Sequence, residues 1–124
     1  MDKLLVYVIA DYGALHDLAF AEVTQKLYAE LGEVPARIET FAVPAFDTYA
    51  TGFALAQTAI NSELGEQHKF FVNTAPRKDD LMPRVSNSGE GFVYVRLING
   101  VEICAVNSGY SLAFVKNFAE DIRQ

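Results

Sequence analysis

The chain has 124 residues, of which 51% are hydrophobic, so it fits one domain that can bury a core without metals or cross-links. Ten Lys and Arg residues against 16 Asp and Glu residues give a net charge of −6. An acidic surface repels phosphate backbones and anionic lipid head groups, so we expect no nucleic-acid partner and no membrane-surface partner. Residues 1–124 are therefore taken as a single domain.

The chain start and the single cysteine indicate the cellular compartment. The apolar run at residues 3–10 is too short to cross a membrane, and no signal-peptide cleavage region follows it, so the sequence predicts a cytoplasmic protein. Cys104 lies in the apolar run VEICAV and forms neither an internal disulfide nor a metal site alone. We expect it to be an inert thiol in the core. His68 is expected to be structural or solvated, and no metal site is predicted.

The first forty residues predict a strand, a helix and a second strand. Residues 3–10 (KLLVYVIA) are rich in Val and Ile, which is typical of a strand covered on both faces. A helix is predicted from Ala14, ending at Gly32. Its apolar residues recur at helical spacing: Phe20, Val23, Leu27 and Leu31. Residues 36–43 (ARIETFAV) predict the next strand, and such a unit builds a parallel sheet.

A second helix and a third strand follow. Pro44 ends the preceding strand, and Asp47 or Thr48 is expected to cap the helix. The predicted buried stripe of this helix is Phe53, Ala56, Ile60 and Leu64. Residues 68–73 (HKFFVN) predict the third strand. The long polar segment at 74–91 has no predicted element, and such loops are often functional.

The last third of the chain predicts a hairpin and a final helix. Asn99-Gly100 separates the apolar runs 92–98 and 101–106, and this dipeptide suits a tight turn between antiparallel strands. A helix is predicted from Ser111, with a buried stripe of Leu112, Val115, Phe118 and Ile122. The predicted fold class is α/β, a three-layer sandwich with a mixed, initially parallel sheet and a C-terminal hairpin.

Small polar residues follow three of the predicted strands, where open α/β sheets bind their ligands. These segments are Asp11-Tyr12-Gly13, Asn73-Thr74-Ala75 and Asn107-Ser108-Gly109. We take Asp11, Tyr12, Gly13, Asn73 and Ser108 as the candidate ligand-binding residues. The Asp11 carboxylate can accept hydrogen bonds from the paired hydroxyls of a ribose, or it can cap the following helix, and both interpretations stay open.

Other features of the sequence narrow the class of ligand. The chain has no glycine-rich phosphate cradle, which disfavours nucleotides held by their phosphates. Tyr12, Tyr49 and Tyr110 can stack on a base.

Taken in order, these motifs resemble the S-adenosylmethionine hydroxide adenosyltransferases and their relatives, the fluorinases and chlorinases. Ala10-Asp11-Tyr12-Gly13 stands where that family has T-D-F-G. Val43-Pro44-Ala45-Phe46-Asp47 matches its V-P-P-F-D segment, and Val72-Asn73-Thr74-Ala75-Pro76 matches V-D-P-G. Asn99-Gly100 and Asn107-Ser108-Gly109 match the hairpin that follows. The likeness covers nearly the whole chain.

The resemblance implies an adenosyl ligand, with S-adenosylmethionine as substrate or ligand and no further cofactor. Asp11 would bind the ribose diol, and Tyr12 and Gly13 would shape that pocket. In the family, water, hydroxide or halide attacks the 5′ carbon of S-adenosylmethionine and expels methionine, and the hydrolases release adenosine. Family members form trimers, so the resemblance implies a homo-oligomer, with a trimer as the form it suggests. Asn73 replaces the hydrolases' catalytic aspartate, and no catalytic residue is assigned.

Two functions therefore remain open. The first is a domain that binds S-adenosylmethionine or adenosine and resembles the hydrolases, and whether it also hydrolyses S-adenosylmethionine to adenosine and methionine stays open. The second is a catalytically inactive structural or partner-binding homologue, because the family's C-terminal β-barrel domain is expected to be absent from this chain.

Overall fold

A six-stranded mixed sheet forms the centre of the described fold, and one helix packs on each of its faces. The computed structural model describes residues 3–13, 18–75 and 91–123. The elements in chain order are β1 (Leu4–Ala10), α1 (Leu18–Leu31), β2 (Ala36–Ala42), α2 (Thr48–Ala59), β3 (His68–Asn73), β4 (Phe92–Leu97), β5 (Glu102–Val106) and β6 (Ala119–Arg123). Short 3₁₀ helices cover Gly65–Gln67 and Lys116–Phe118.

The strand order is β2-β1-β3-β5-β4-β6. The first four strands in this order run parallel, whereas β4 is antiparallel to both β5 and β6. This confirms the predicted α/β class and its mixed sheet. The Asn99-Gly100 hairpin is also confirmed: Gly100 has a φ of 96°, and the Asn99 side chain accepts a hydrogen bond from the Val101 amide.

The two helices pack on opposite faces of the sheet. Phe20 of α1 packs on Val8 and Ala10, on one face of β1. Leu55 of α2 packs with Ile9, which points to the other face. The connections that follow β1 and β2 therefore diverge at the carboxyl ends of these neighbouring strands, which is where open α/β sheets form a crevice.

The buried face of α2 differs from the prediction. Phe53 is 61% exposed and Leu64 is 44% exposed and lies beyond the helix end, while Thr51, Gly52, Leu55 and Ala59 are buried. Apolar residues occur on every side of this helix, so their spacing alone does not select a face. Small residues determine which face of the helix is buried, because they let the neighbouring backbone approach closely.

The predicted C-terminal helix from Ser111 is wrong. The chain forms turns through Val115, the 3₁₀ helix and then β6, which pairs with β4. Val115 is buried as predicted, but Phe118 and Ile122 are partly exposed. Pairing with the free edge of β4 outweighs the local helical spacing, since tertiary contacts commonly override intrinsic propensity.

Cys104 is exposed, so the prediction of a core thiol is also wrong. Alternation along β5 places Ile103 and Ala105 in the core and turns Cys104 to the opposite face. Partial desolvation nevertheless raises the pKa of the thiol, which disfavours the reactive thiolate.

Gly52 gives a direct test of the packing between α2 and the turn that follows β5. A Cβ at this position would lie 2.3 Å from the Tyr110 carbonyl oxygen. We expect Gly52→Ala to lower the free energy of unfolding by about 1–3 kcal/mol in urea denaturation, despite the better helix propensity of Ala. Gly91→Ala is the control because its Cβ would meet open space. Equal stability of the two variants would contradict this packing.

His68 makes stability depend on pH. The side chain is 4% exposed, its Nδ1 pairs with the Ser62 hydroxyl at 2.8 Å, and its buried Nε2 meets no partner among the described residues. Burial lowers the pKa of His68 below its ordinary value of 6.5. The folded state therefore disfavours the charged form, and stability is full above the unfolded pKa and declines as the pH falls below it.

We expect the free energy of unfolding to fall between about pH 7 and about pH 5, and this slope to flatten in His68→Phe, which keeps an aromatic ring against Tyr7 and Phe70. Urea denaturation across this range measures both slopes. Parallel pH profiles would show that His68 is not the group responsible.

Candidate functional site

Four of the predicted site residues meet where β1 and β3 end. The Asp11 amide donates to the Asn73 carbonyl oxygen at 3.3 Å, which extends the parallel pairing by one residue. The Asn73 side-chain amide donates to the Tyr12 hydroxyl at 2.8 Å. Gly13 follows with a φ of 102°, a backbone conformation that favours glycine. Asp11, Tyr12, Gly13 and Asn73 thus form one polar cluster.

The Asp11 carboxylate joins this cluster to two other segments. Its Oδ2 atom accepts hydrogen bonds from the Phe46 amide at 3.0 Å and from the Ala75 amide at 3.2 Å. Phe46 belongs to the connection between β2 and α2, and Ala75 follows β3. One carboxylate oxygen therefore ties together the segments that leave three adjacent strands, through bonds strengthened by its charge. The described residues make no bond to Oδ1.

The Phe46 backbone is unusual. Its φ of 61° is the one positive value among the described residues other than glycine, and such a conformation costs free energy in a bulky residue. The Asp11 bond offsets that cost by holding the amide. The next residue, Asp47, caps α2 as predicted by accepting from the Ala50 amide at 2.8 Å. The connection is thus fixed at both ends.

The Tyr12 hydroxyl stays protonated at neutral pH. Burial raises its pKa most, the nearby Asp11 charge raises it further, and the bond from Asn73 acts in the opposite direction. Because the hydroxyl accepts from Asn73, its own hydrogen remains for a further acceptor. The ring packs edge-on against Phe20 at 5.1 Å, which fixes its position beside Asp11.

Ser108 follows β5, the neighbour of β3 in the sheet, and its described side-chain bonds go to Thr74 and Ser111. It is 2% exposed, and its hydroxyl donates to the Thr74 carbonyl oxygen. The Thr74 hydroxyl is itself paired with Thr51 at 2.7 Å. Sequence reasoning placed Thr74 in a candidate segment without a role and missed Thr51, because a threonine in a helix carries no distinctive signal. The described bonds of Ser108 are internal, and they support the backbone that presents Ala75 to Asp11.

Two of the three tyrosines that were predicted to stack on a base lie away from this polar cluster. Tyr49 of α2 and Tyr110 of the turn after β5 pack edge-on against each other at 5.7 Å, and both are exposed. Tyr12 lies on the α1 side of the sheet instead.

Some candidate features fall outside the described ranges, among them residues 14–17, on which the helix-capping alternative for Asp11 depends. Within residues 3–13, 18–75 and 91–123, no group of three or more His, Cys, Asp or Glu side chains could hold a metal ion. Over those same ranges, no helix has the length and apolar character needed to cross a membrane.

No family model and no curated protein matches this sequence. Among the solved structures that share its fold, an uncharacterized conserved protein from Thermotoga maritima superposes with a TM-score of 0.67 at 13% identity, over 95% of this chain and 42% of its own. A conserved hypothetical protein from Thermus thermophilus gives a TM-score of 0.62 at 17% identity, over 96% of this chain and 45% of its own. The chain thus spans less than half the length of either protein.

Asp11 is expected to stabilise the fold whether or not a ligand binds. Asp11→Ala leaves the Phe46 and Ala75 amides without their acceptor, so we expect it to lower the free energy of unfolding by about 1–3 kcal/mol in chemical denaturation. Asp11→Asn keeps one acceptor oxygen and should lose less. Glu63→Ala, at an exposed position, is the control and should stay within about 0.5 kcal/mol of the parent. A fully stable Asp11→Ala variant would refute the structural role of this carboxylate.

Proposed function

We propose that this chain is an adenosyl-binding domain related to the S-adenosylmethionine hydroxide adenosyltransferases, with S-adenosylmethionine or adenosine as its ligand. The observation that carries the proposal is the position of Asp11. Its carboxylate lies where the connections after β1 and β2 diverge, and it keeps Oδ1 free of the described residues while Oδ2 holds two backbone amides.

The motifs that carry the family resemblance converge on this carboxylate. Asp11 belongs to the first motif, Phe46 to the second and Ala75 to the third. Phe46 and Ala75 are separated from Asp11 by 35 and 64 residues in sequence, yet both partner amides bond the same oxygen atom. An arrangement in which each motif completes the same junction supports a shared architecture, beyond a chance match of short patterns.

The chemistry of the cluster suits a ribose. A carboxylate oxygen with no partner among the described residues can accept from the vicinal hydroxyls of a sugar, and its fixed position reduces the entropy lost on binding. The protonated Tyr12 hydroxyl adds a donor beside it. The absence of a glycine-rich cradle from the sequence agrees with a ligand recognised through its nucleoside part.

Binding without turnover is the form of the proposal that the residues favour. Asn73 stands where the hydrolases have their catalytic aspartate, and its amide already donates to Tyr12. An amide takes no proton from water at neutral pH, so Asn73 does not act as a general base. Trimeric assembly and a cytoplasmic location remain predictions that accompany this proposal.

Isothermal titration calorimetry with adenosine, S-adenosylmethionine and 2′-deoxyadenosine tests the proposal. We expect adenosine to bind and 2′-deoxyadenosine to bind at least about tenfold more weakly, because it lacks one hydroxyl of the diol. Asp11→Asn, with its folding verified, should lose adenosine binding, whereas Glu63→Gln should keep it. Absence of heat with adenosine and S-adenosylmethionine at millimolar concentration, or equal affinity for the deoxy analogue, would contradict the proposal.

The same samples separate binding from catalysis. Chromatography of S-adenosylmethionine incubated with the protein should show no adenosine above the uncatalysed background. Release of adenosine that Asp11→Asn abolishes would instead make the chain a hydrolase and would overturn the proposed lack of turnover.

The second candidate is a structural or partner-binding homologue. Two observations favour it: the bonds of Asp11 to Phe46 and Ala75 already explain the carboxylate without a ligand, and Tyr49 and Phe53 expose aromatic rings on the outer side of α2. Failure of all three ligands in calorimetry would leave this candidate as the better account.

A further inference from the structure

A second concave site lies away from Asp11, between the sheet and the turns that follow β5. The cavity measures about 390 Å³ and is lined by apolar side chains of β4, β6 and the covering turns. The apolar lining consists of Val93, Val95, Leu112, Ala113, Val115 and Ile122, and polar groups make up a comparable share of the wall. Small-molecule sites in proteins typically span about 300–1,000 Å³ and place a few polar groups among apolar side chains, so the size and mixed wall of this cavity suit a small ligand.

The covering turns are anchored on α2, which keeps the cavity open. The Tyr110 amide donates to the Thr48 hydroxyl at 3.1 Å, and the Tyr110 carbonyl lies directly on Gly52. Gly109, with a φ of 48°, lies so close to Thr48 that a Cβ there would be 2.3 Å from the threonine hydroxyl oxygen. A regular helix does not form here. The contacts of these turns with α2 therefore fix the distance between the turns and the sheet.

Two polar side chains complete the wall. Among the described lining residues, Lys116 is the one that carries a charge, and Asn107 supplies an amide. Neither side chain makes a hydrogen bond or ion pair with the described residues. An ammonium group with no partner in the described part of the chain, beside apolar side chains, complements a ligand with an apolar body and one anionic group, and its positive charge contrasts with the net charge of −6 of the chain.

From this arrangement we infer that the cavity binds a small amphiphilic carboxylate. The apolar chain lies against Leu112 and Ile122, the larger apolar lining residues that are not buried, while the carboxylate pairs with Lys116 and accepts from Asn107. This site is separate from the proposed adenosyl site, and ligand binding in the cavity does not depend on Asp11.

Octanoate is the probe for this site, with 1-octanol and octylamine as neutral and cationic analogues of the same chain length. In calorimetry or NMR titration below the micellar range, we expect saturable octanoate binding and about tenfold weaker binding of both analogues. Lys116→Gln should weaken octanoate binding to the level of octanol. Lys26→Gln, on α1, is the matched control and should leave it unchanged.

A second variant tests the cavity itself. Ala113 is an exposed lining residue, so Ala113→Leu narrows the opening without disturbing the core, and it should weaken octanoate and octanol alike. Asp11→Asn should bind octanoate as the parent does, which separates this inference from the proposed function. No saturable binding of octanoate, or binding that neither Lys116→Gln nor Ala113→Leu reduces, overturns the inference.

Discussion

The fold around the site depends on the hydrogen bonds that one carboxylate oxygen, Oδ2 of Asp11, accepts from the Phe46 and Ala75 amides. Parallel strands align their carboxyl ends but leave the connections after them free to separate. A charged acceptor between those connections offsets the positive φ of Phe46 and holds both amides at fixed positions. The junction of three strands is therefore organised before any ligand arrives.

The two oxygen atoms of the Asp11 carboxylate therefore differ in their hydrogen bonds. Oδ2 accepts from two backbone amides, and Oδ1 makes no bond to the described residues. The carboxylate is held in a fixed orientation, because it cannot turn without breaking bonds that stabilise the chain. Behind it, Thr51, Thr74 and Ser108 fix the backbone after β3 through buried hydroxyl bonds. The cavity beside Lys116 lies under turns anchored on α2.

Much of the architecture is predictable from sequence because apolar runs and turn residues act locally. The parallel strands, the Asn99-Gly100 hairpin and the Asp47 cap all follow from such signals. The final segment does not: Leu112, Val115, Phe118 and Ile122 fit a helix, yet the free edge of β4 draws residues 119–123 into a strand. Likewise, only the three-dimensional packing at Gly52 determines which face of α2 is buried.

The residues of the candidate site were predictable from sequence to a similar extent. The ends of apolar strands place Asp11, Tyr12 and Asn73 at one edge of a parallel sheet, and the structure brings these residues together. The partners of Asp11 were not predictable, since backbone amides carry no residue-type signal.

The most direct test of the central claim is an NMR titration with adenosine that follows the Asp11 carboxyl carbon together with the Phe46 and Ala75 amide protons. If Oδ2 belongs to the fold and Oδ1 to the ligand, the carboxyl resonance shifts saturably while both amide protons keep their hydrogen bonds and their protection from exchange. An Asp11 resonance that does not move at saturating adenosine, or amide protons that lose protection on binding, would contradict this division.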